Sequence, residues 1–376
     1  MNKCRVCGDQ LFDEPLLRYD NMPAVAQFLP DADALPGETG VDLEVRQCSG
    51  CGLVQLSNDP VPYYREVIRA AAFSGGMKEF RQEQFGKLID KYGLRGRKVL
   101  EIGCGRGEYL SIMRECGADT YGLEWSEDSV SHCSNNGLNV VQGYVGNVTC
   151  KLPNGPFDAF YILNFLEHLP DLNSVLTGIR NNLGDDGIGL VEVPNFDMIL
   201  RNKLFTEFTS DHLFYFTRES LIAALNLNGL EVMECGEVWY DYIISAVVRK
   251  RRKMDLSHFH DRRMELKDEI NGYISRFRDG GVAVWGAGHQ ALAVISLADL
   301  SGRVKYVVDS APFKQGKYTP ATHLPIVSPD TLVSDPVDAV IVMAASFSDE
   351  VATIIRKKFD AVTEIAILRD YGLEFV

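Results

Sequence analysis

The sequence predicts an α/β protein of three parts, and three observations lead to this prediction. Two C-x2-C pairs lie within the first 51 residues. Two buried strand patterns, "KVLEI" and "GVAVW", are each followed by a glycine-rich turn and a helical pattern. That order is typical of parallel sheets covered by helices. We therefore predict a cysteine-rich module at 1–65, a Rossmann-like domain at 66–245, and a connector helix with a second Rossmann-like domain at 246–376.

Length and composition limit what the chain can be. Its 376 residues exceed one ordinary core, and 46% hydrophobic with 24% charged residues is typical of globular domains. The formal net charge of −14 repels a phosphate backbone, so we expect no nucleic-acid partner. The chain contains no apolar run of membrane length, and its start, "MNKCRVCGDQ", lacks an apolar signal core. We therefore expect no membrane association and a cytoplasmic location.

The two cysteine pairs indicate a metal site. Cys4 and Cys7 form the first pair, and Cys48 and Cys51 form the second. Each C-x2-C lets two thiolates reach one ion, so two pairs complete a tetrahedral zinc site with no open position. We predict structural zinc without a catalytic role. The alternative, two reduced pairs or a redox couple, lacks the flanking pattern of a thioredoxin motif.

The first glycine turn follows the strand pattern "KVLEI". In "KVLEIGCGRGEYL", Gly103 and Gly105 allow the backbone to approach a ligand closely, and a helix is expected from near Tyr109. The next strand pattern, "DTYGLEWS", contains Glu124, whose carboxylate could accept both hydroxyls of a ribose. A dinucleotide enzyme would have the same layout.

Further motifs give this block a family resemblance. The E-x-G-C-G-x-G form resembles the first motif of class I S-adenosylmethionine (SAM) methyltransferases, and "FDAFYILNFLEHLPDL" resembles their fourth-strand region. The resemblance implies a Rossmann-like fold that binds SAM at the carboxyl ends of its strands. The cofactor-binding residues that it implies are Ser74, Glu101, Gly103, Cys104, Gly105, Glu124, Tyr144 and Asn164.

The third block contains a second glycine turn. "GVAVWGAGHQALAVI" places Gly286, Gly288 and Ala291 in a G-x-G-x-x-A arrangement, and Asp309 ends the next strand pattern, "VKYVVDS". Taken alone this is a dinucleotide fingerprint. A domain of the same shape that binds another ligand, or none, would have the same pattern, and we favour this second interpretation.

The whole chain resembles one family. The order of a cysteine module, a SAM domain and a glycine-turn domain is similar to sugar C-methyltransferases that act on nucleotide-linked 4-keto deoxysugars. "VVDSAPFKQGKYTPATHLPI", residues 307–326, resembles that family's final domain. The resemblance implies that the C-terminal domain binds the nucleotide part of such a substrate. The predicted substrate-binding residues are Gly286, Gly288, His289, Lys314, Lys317 and His323.

The resemblance also implies the catalytic residues. It places the family's acidic residue and histidine at Asp211 and His212, and its strand-four histidine at His168. Methylation of carbon needs a carbanion, and a sugar C–H becomes acidic only beside a ketone. We therefore predict His212 as base, Asp211 as the carboxylate that orients it, and His168 near the developing oxyanion. Tyr215 either contributes a hydroxyl or packs in the core.

Two departures from the family keep alternatives open. Thr209 replaces the family's tyrosine, and the tyrosine-rich segment before the SAM domain corresponds here to "IRAAAFSGG", which keeps only Ser74. C-methylation of a nucleotide-linked 4-keto deoxysugar, at C3 through an enolate, is the leading prediction. The alternatives are an O- or N-methyltransferase and a non-catalytic module that binds zinc and nucleotide.

Overall fold

The computed structural model describes residues 2–65 and 74–376, which form two compact units, Met1–Arg252 and Lys253–Val376. The predicted boundary at 245/246 lies close to this division. The predicted boundary at 65/66 falls at the start of 66–73, outside the described residues, and the parts on either side belong to one unit. Within the described ranges, no helix is long and apolar enough to cross a membrane.

A small antiparallel sheet joins the cysteine-rich part to the rest of the first unit. Strands β1 (Leu17–Met22), β2 (Val41–Gln47) and β3 (Val54–Leu56) come from the N-terminal part. The fourth strand, β9 (Phe214–Tyr215), comes from far along the chain and pairs with β3. This pairing explains why the two predicted domains form one unit, because the segment that contains His212 leads directly into β9.

The main sheet of the first unit contains seven strands, in the order β10-β11-β8-β7-β4-β5-β6. Five strands run parallel, while β10 and β11 are antiparallel at one edge. The strands are β4 (Lys98–Ile102), β5 (Asp119–Glu124), β6 (Asn139–Gln142), β7 (Phe157–Leu163), β8 (Leu183–Pro194), β10 (Leu230–Val238) and β11 (Ile243–Lys250).

Strand β7 shows why this sheet is covered on both faces. Phe160 and Ile162 pack in one buried cluster, whereas Tyr161 and Leu163 pack in another. Successive residues of a strand point to opposite faces, so both faces of β7 are in the core. Ligands of such sheets bind beyond the carboxyl ends of the parallel strands. Most of the predicted cofactor residues lie at or just after these ends of β4, β5 and β7.

Helices α1 to α6 connect these strands. The first begins at Ser74, whose hydroxyl accepts a hydrogen bond from the amide of Met77, and it ends at Gly93 in the left-handed conformation. A fully buried ion pair between Arg81 and Glu192 joins it to β8. The helices are α1 (Gly75–Tyr92), α2 (Glu108–Glu115), α3 (Glu127–Asn135), α4 (Leu172–Asn181), α5 (Phe196–Asn202) and α6 (Arg218–Leu227).

The second unit contains a six-stranded sheet, in the order β14-β13-β12-β15-β16-β17, with only the last pair antiparallel. The predicted connector helix is shorter than expected, because Arg249 and Lys250 still belong to β11 and the helix begins at Ser257. The elements are α7 (Ser257–Ile274), β12 (Val282–Trp285), α8 (His289–Leu297), β13 (Val307–Val308), β14 (Ile326–Val327), α9 (Thr331–Ser334), β15 (Ala339–Val342), α10 (Ser348–Lys358), β16 (Glu364–Leu368) and β17 (Leu373–Phe375).

Candidate active site

The structure brings the four N-terminal cysteines together. The sulfur of Cys4 lies 3.7 Å from that of Cys51, and the sulfur of Cys7 lies 3.3 Å from that of Cys48. Four thiolates about 2.3 Å from one zinc ion would be separated by about 3.8 Å, so the cluster needs little adjustment to enclose the ion. Backbone amides of Val6 and Gly50 donate to the sulfurs of Cys4 and Cys48, as expected for thiolate ligands.

The turn after β4 has the backbone conformation that its glycines predict. Gly103 has a φ of +70°, and a Cβ atom there would lie 3.2 Å from the ring of Phe165. This contact brings the turn against the segment that follows β7. The centroid of the Phe165 ring is in turn 6.4 Å from that of His168. The predicted cofactor turn and the predicted catalytic histidine are therefore separated by a single side chain.

Glu124 lies at the end of β5, as predicted, but its carboxylate already has two backbone partners. One oxygen accepts a hydrogen bond of 2.8 Å from the amide of Gly105, and the other accepts one of 2.9 Å from the amide of Ser126. The carboxylate therefore fixes the glycine turn. A carboxylate oxygen has two lone pairs, so Glu124 can still accept bonds from a ribose.

The other predicted cofactor residues have different surroundings. Asn164 is exposed and left-handed, directly after β7. Glu101 is buried and accepts a hydrogen bond from the hydroxyl of Tyr161. The thiol of Cys104 is buried against Gly122, so only its backbone could face a ligand. Ser74 caps α1, which is a structural role that the sequence reasoning did not consider.

Tyr144 belongs to a group of aromatic side chains that surround an arginine. The guanidinium of Arg65 lies 4.8 Å from the ring centroid of Tyr144, 4.9 Å from that of Trp125 and 5.2 Å from that of Tyr64. Trp125 directly follows Glu124, so this group adjoins the predicted ribose position. Sequence reasoning missed Arg65 and Tyr64, because nothing in a local pattern brings "YYR" to the end of β5.

The two predicted catalytic histidines lie in contact. The ring centroids of His168 and His212 are 4.8 Å apart and the rings are nearly perpendicular. His168 follows β7, and Nδ1 of its ring lies 2.8 Å from the carbonyl oxygen of Asp211. Burial lowers the pKa of His168, and burial together with His168 lowers the pKa of His212 to about 3. Both rings are therefore neutral at neutral pH.

Glu167 is a third member of this group. One carboxylate oxygen of Glu167 and one ring nitrogen each of His168 and His212 all lie within 4.8 Å of one another. These three residues are called the histidine cluster here. Burial raises the pKa of Glu167 to about 8. The sequence did not indicate a role for this glutamate, because its burial depends on the return of the chain at Leu213, whose amide donates to the carbonyl oxygen of Glu167.

The carboxylate of Asp211 does not have the partner that we expected. It accepts hydrogen bonds from the hydroxyl of Tyr63 at 2.7 Å, the amide of Ala26 at 3.3 Å and the side chain of Gln27 at 3.4 Å. Only its backbone carbonyl contacts the histidine cluster, through His168. In the structure the carboxylate therefore bonds to the N-terminal part of the unit, and its predicted role in orienting His212 stays a prediction. Asp211 thereby joins the histidine segment to the N-terminal part of the unit.

Tyr215 has a structural environment. It is buried in β9, its hydroxyl accepts a hydrogen bond from the amide of Thr209 at 3.0 Å, and its ring contacts Phe208. This is the core-packing alternative of the two that the sequence left open. The bond to Thr209 also fixes the loop that precedes His212.

The second glycine turn, after β12, is equally constrained. Gly286 has a φ of +121°, and a Cβ atom there would lie 2.4 Å from the carbonyl oxygen of Met343. Asp309 accepts a hydrogen bond of 2.8 Å from the amide of Ala287 and pairs with Lys314 at 2.9 Å. Lys314 also donates to the carbonyl oxygen of Ala287 at 3.1 Å. Lys314 therefore has protein partners at the turn.

The remaining predicted substrate residues all follow this turn along the chain. Gly288 directly precedes α8. His289 is the first residue of that helix and is exposed. Lys317 and His323 are in the loop between β13 and β14, and His323 has a left-handed backbone. No ligand contact of these residues is tested, so their binding roles stay predictions.

Comparison with known protein families identifies both Rossmann-like parts. Residues 77–234 match the model of a methyltransferase domain, and residues 249–366 match the model of a C-methyltransferase C-terminal domain. The chain is a SAM-dependent methyltransferase. The non-catalytic module that we kept as an alternative is therefore excluded, and the match to the methyltransferase domain supports SAM as the cofactor.

Relatives among characterised proteins differ in how much of the chain they match. The C-methyltransferase NovU of Streptomyces niveus is 24% identical over 93% of this chain and 91% of its own length. Ubiquinone biosynthesis O-methyltransferases match locally, and that of Glaesserella parasuis is 30% identical over 27% of this chain. The chain matches about half the length of that enzyme, 48%.

Solved structures give weaker similarities. A methyltransferase from Clostridium acetobutylicum, described as dependent on S-adenosylmethionine, is 13% identical, with a TM-score of 0.38 over 50% of this chain and 96% of its own. The plantazolicin methyltransferase BpumL in complex with SAH is also 13% identical, with a TM-score of 0.38 over 47% of this chain and 86% of its own. TM-scores below 0.5 are too low to support a conclusion about mechanism.

Proposed function

We propose that this enzyme transfers the methyl group of SAM to a carbon atom of a nucleotide-linked 4-keto deoxysugar, at C3 beside the ketone. The observation that carries the proposal is the contact between His168 and His212 next to the Gly103 turn. A neutral imidazole beside a methyl donor suits the removal of a C–H proton, and a second imidazole that gains a proton as the enolate forms could stabilise the resulting oxyanion.

The comparisons support carbon as the methylated atom. The C-methyltransferase C-terminal domain covers most of the second unit, and NovU, a C-methyltransferase, matches nearly the whole chain. The ubiquinone biosynthesis O-methyltransferase of Glaesserella parasuis matches only 27% of the chain. An O-methyltransferase remains the second candidate, and it would accept a substrate that has no ketone.

His212 is the proposed base. Its lone pair accepts the proton from C3, the electron pair of that C–H bond moves into the ring, and the C4 oxygen gains the negative charge. SAM supplies an electrophilic methyl group on a positively charged sulfur. His168 lies beside His212 and would face the C4 oxygen, where a hydrogen-bond donor lowers the energy of the enolate.

His212→Asn tests the proposed base. We expect turnover to fall by roughly 10²–10⁴-fold, because asparagine retains polarity but cannot accept the proton. SAM affinity should not change. Rates would be measured with a nucleotide-linked 4-keto sugar, and SAM affinity by calorimetry, with His258→Asn on the exposed face of α7 as a matched control.

A second measurement separates catalysis from folding. In D2O without SAM, the wild type should exchange one substrate C–H for deuterium, since enolate formation precedes methyl transfer. His212→Asn should not. A fully active His212→Asn with only a lower melting temperature would give the histidine a structural role. Methylation of a substrate that has no ketone would favour O-methylation instead.

We also propose that the cysteine cluster binds one structural zinc ion. The four sulfurs lie at nearly the separation that a tetrahedral zinc site requires, and a bound cation would favour the thiolate forms of Cys4 and Cys51, whose pKa values burial raises. Purified protein should contain about one zinc per chain. Cys48→Ser should lower zinc content and stability, whereas Cys150→Ser, a cysteine outside the cluster, should change neither. Freshly purified protein without zinc would contradict this assignment.

A further inference from the structure

Glu167 is a buried acid that the proposed reaction does not yet use. Its side chain is 2% exposed. Among the described residues, its Oε2 atom has no hydrogen-bond partner, and its Oε1 atom lies 3.8 Å from Nε2 of His168. A carboxylate in such a place would be a costly buried charge, so the group is expected to be protonated in the resting enzyme.

The tautomer of His168 follows from its other nitrogen. Nδ1 lies 2.8 Å from the carbonyl oxygen of Asp211, which can only accept a hydrogen bond. The hydrogen of the neutral ring is therefore on Nδ1, and Nε2 has a lone pair. In this state Nε2 cannot donate to an enolate oxygen. His168 needs one more proton before it can stabilise the oxyanion, and Oε1 of Glu167 lies 3.8 Å from the nitrogen that lacks it. The two atoms must approach to about 3 Å when the substrate binds before the proton can pass directly between them.

We propose that Glu167 stores a proton in the resting enzyme and transfers it to Nε2 of His168 as the enolate forms. The inference rests on the proposed function, and it makes Glu167 a positioning residue that acts through His168. The O–H bond of Glu167 breaks, its electron pair stays on the carboxylate, and the lone pair of Nε2 forms the new N–H bond. His168 then donates to the enolate oxygen.

The charges of this state balance. Before reaction Glu167, His168, His212 and the ketone are all neutral. Afterwards the carboxylate and the enolate are negative, and the two imidazolium rings are positive. The net charge of the site has not changed, and each positive ring has a negative neighbour. Burial and the neighbouring His168 lower the pKa of His212 to about 3, so the negative enolate and the Glu167 carboxylate must offset both effects for the ring of His212 to hold the proton.

Few other ionisable groups contact Glu167. His168 and His212 face it from the segments after β7 and before β9. The carboxylate of Asp211 is directed at Tyr63, and the ring of Tyr215 lies 6.3 Å from that of His212.

Because the pKa of Glu167 is raised from 4.5 to about 8, the folded protein binds a proton that the unfolded chain lacks between these pH values. Its stabilising contribution is present below about pH 4.5 and is lost as pH rises to about 8.

Glu167→Gln tests the stored proton without any substrate. Glutamine keeps the shape of a protonated glutamate but cannot ionise. The difference in melting temperature, variant minus wild type, should therefore increase by several degrees from pH 5 to pH 8. Glu219→Gln, which removes an exposed carboxylate, should show no such increase. A Glu167→Gln difference that stays constant with pH would overturn the inference.

Kinetics test the transfer itself. Glu167→Gln should lower kcat by roughly 10²-fold while SAM affinity and KM stay unchanged, because His168 loses its proton source. Glu167→Asp should restore part of the rate, which a purely structural role would not predict. Unchanged kcat in Glu167→Gln from pH 6 to pH 9 would overturn the proposal.

Two further outcomes separate this inference from its alternatives. A wild type that methylates no keto sugar at carbon and exchanges no C–H would refute the proposed function and the transfer step together, while the melting data would still decide whether Glu167 stores a proton. A metal ion that remains after Cys48→Ser and is lost in His212→Asn would show that the cluster binds a cation, and would overturn the inference.

Discussion

The two glycine turns of this chain begin alike and end as different sites. In both, a carboxylate at the end of the next strand accepts a 2.8 Å hydrogen bond from an amide of the turn, Glu124 from Gly105 and Asp309 from Ala287. Among the described residues, Asp309 has a cation against it, Lys314 at 2.9 Å, whereas no ion pair is found for Glu124. The same hydrogen bond from the turn therefore occurs in two different settings. The carboxylate of Glu124 can still bind a ligand, whereas the charge of Asp309 is balanced by Lys314.

The consequence is visible in the charge of each turn. Burial opposes ionisation of Asp309, but Lys314 and two backbone amides outweigh it, so the pKa of Asp309 is lowered. The ammonium group of Lys314 also donates a hydrogen bond to the carbonyl oxygen of Ala287. A ribose would have to displace this ammonium group to reach Asp309. A glycine turn followed by an acidic residue thus predicts the backbone geometry of a Rossmann-like turn, but not its ligand.

The largest expected effect concerns the backbone of the second turn. Gly286→Ala should destabilise the second unit by about 3 kcal/mol or more, because φ is +121° and the new methyl group would overlap the carbonyl of Met343. Gly288→Ala, two residues later with open space around it, should cost less than about 1 kcal/mol. Hydrogen exchange of amides in 282–297 would measure both, and equal effects would refute the steric argument.

The next effect separates the ligands of the two turns. Glu124→Ala should weaken SAM binding by about 1–3 kcal/mol, since it removes the ribose contact and loosens the turn. Asp309→Ala should leave SAM affinity unchanged, and NAD should bind neither variant nor the wild type. Calorimetric titration decides this. NAD binding that is lost in Asp309→Ala would reverse our interpretation of the second turn.

Local sequence patterns predicted those parts of the fold whose causes are local. "KVLEI" forms β4 at the expected residues, and the following helix begins at Glu108, one residue before the predicted Tyr109. The strand pattern "GVAVW" likewise corresponds to β12, and the glycine turn and α8 follow it as predicted. Alternation and helical spacing are properties of neighbouring residues, so a single sequence contains them.

The parts that could not be predicted depend on distant pairing. Strand β9 has two residues, and only its pairing with β3 shows that the N-terminal part packs on the histidine segment. The bond from Tyr63 to Asp211 joins residues far apart in the chain, and it redirects the carboxylate that we had assigned to His212. The resemblance placed His168 and His212 in one site, but the burial of Glu167 beside them required the folded chain.

The smallest expected effect tests whether the second turn belongs to a substrate site at all. Lys317 is exposed and follows Lys314, whose charge is already paired with Asp309. If the loop contacts the nucleotide of the substrate, Lys317→Ala should raise KM by about 2- to 5-fold with little change in kcat, because an exposed contact remote from the reacting carbon contributes equally to binding in the ground and transition states. Lys357→Ala, which removes an exposed lysine in the last turn of α10, serves as the control and should alter neither constant.

Raising the salt concentration should weaken substrate binding by the wild type and affect Lys317→Ala less, since the interaction that this variant lacks is a charge contact that salt screens. An unchanged KM with an authentic substrate would place the nucleotide elsewhere and would leave the second turn with a structural role only.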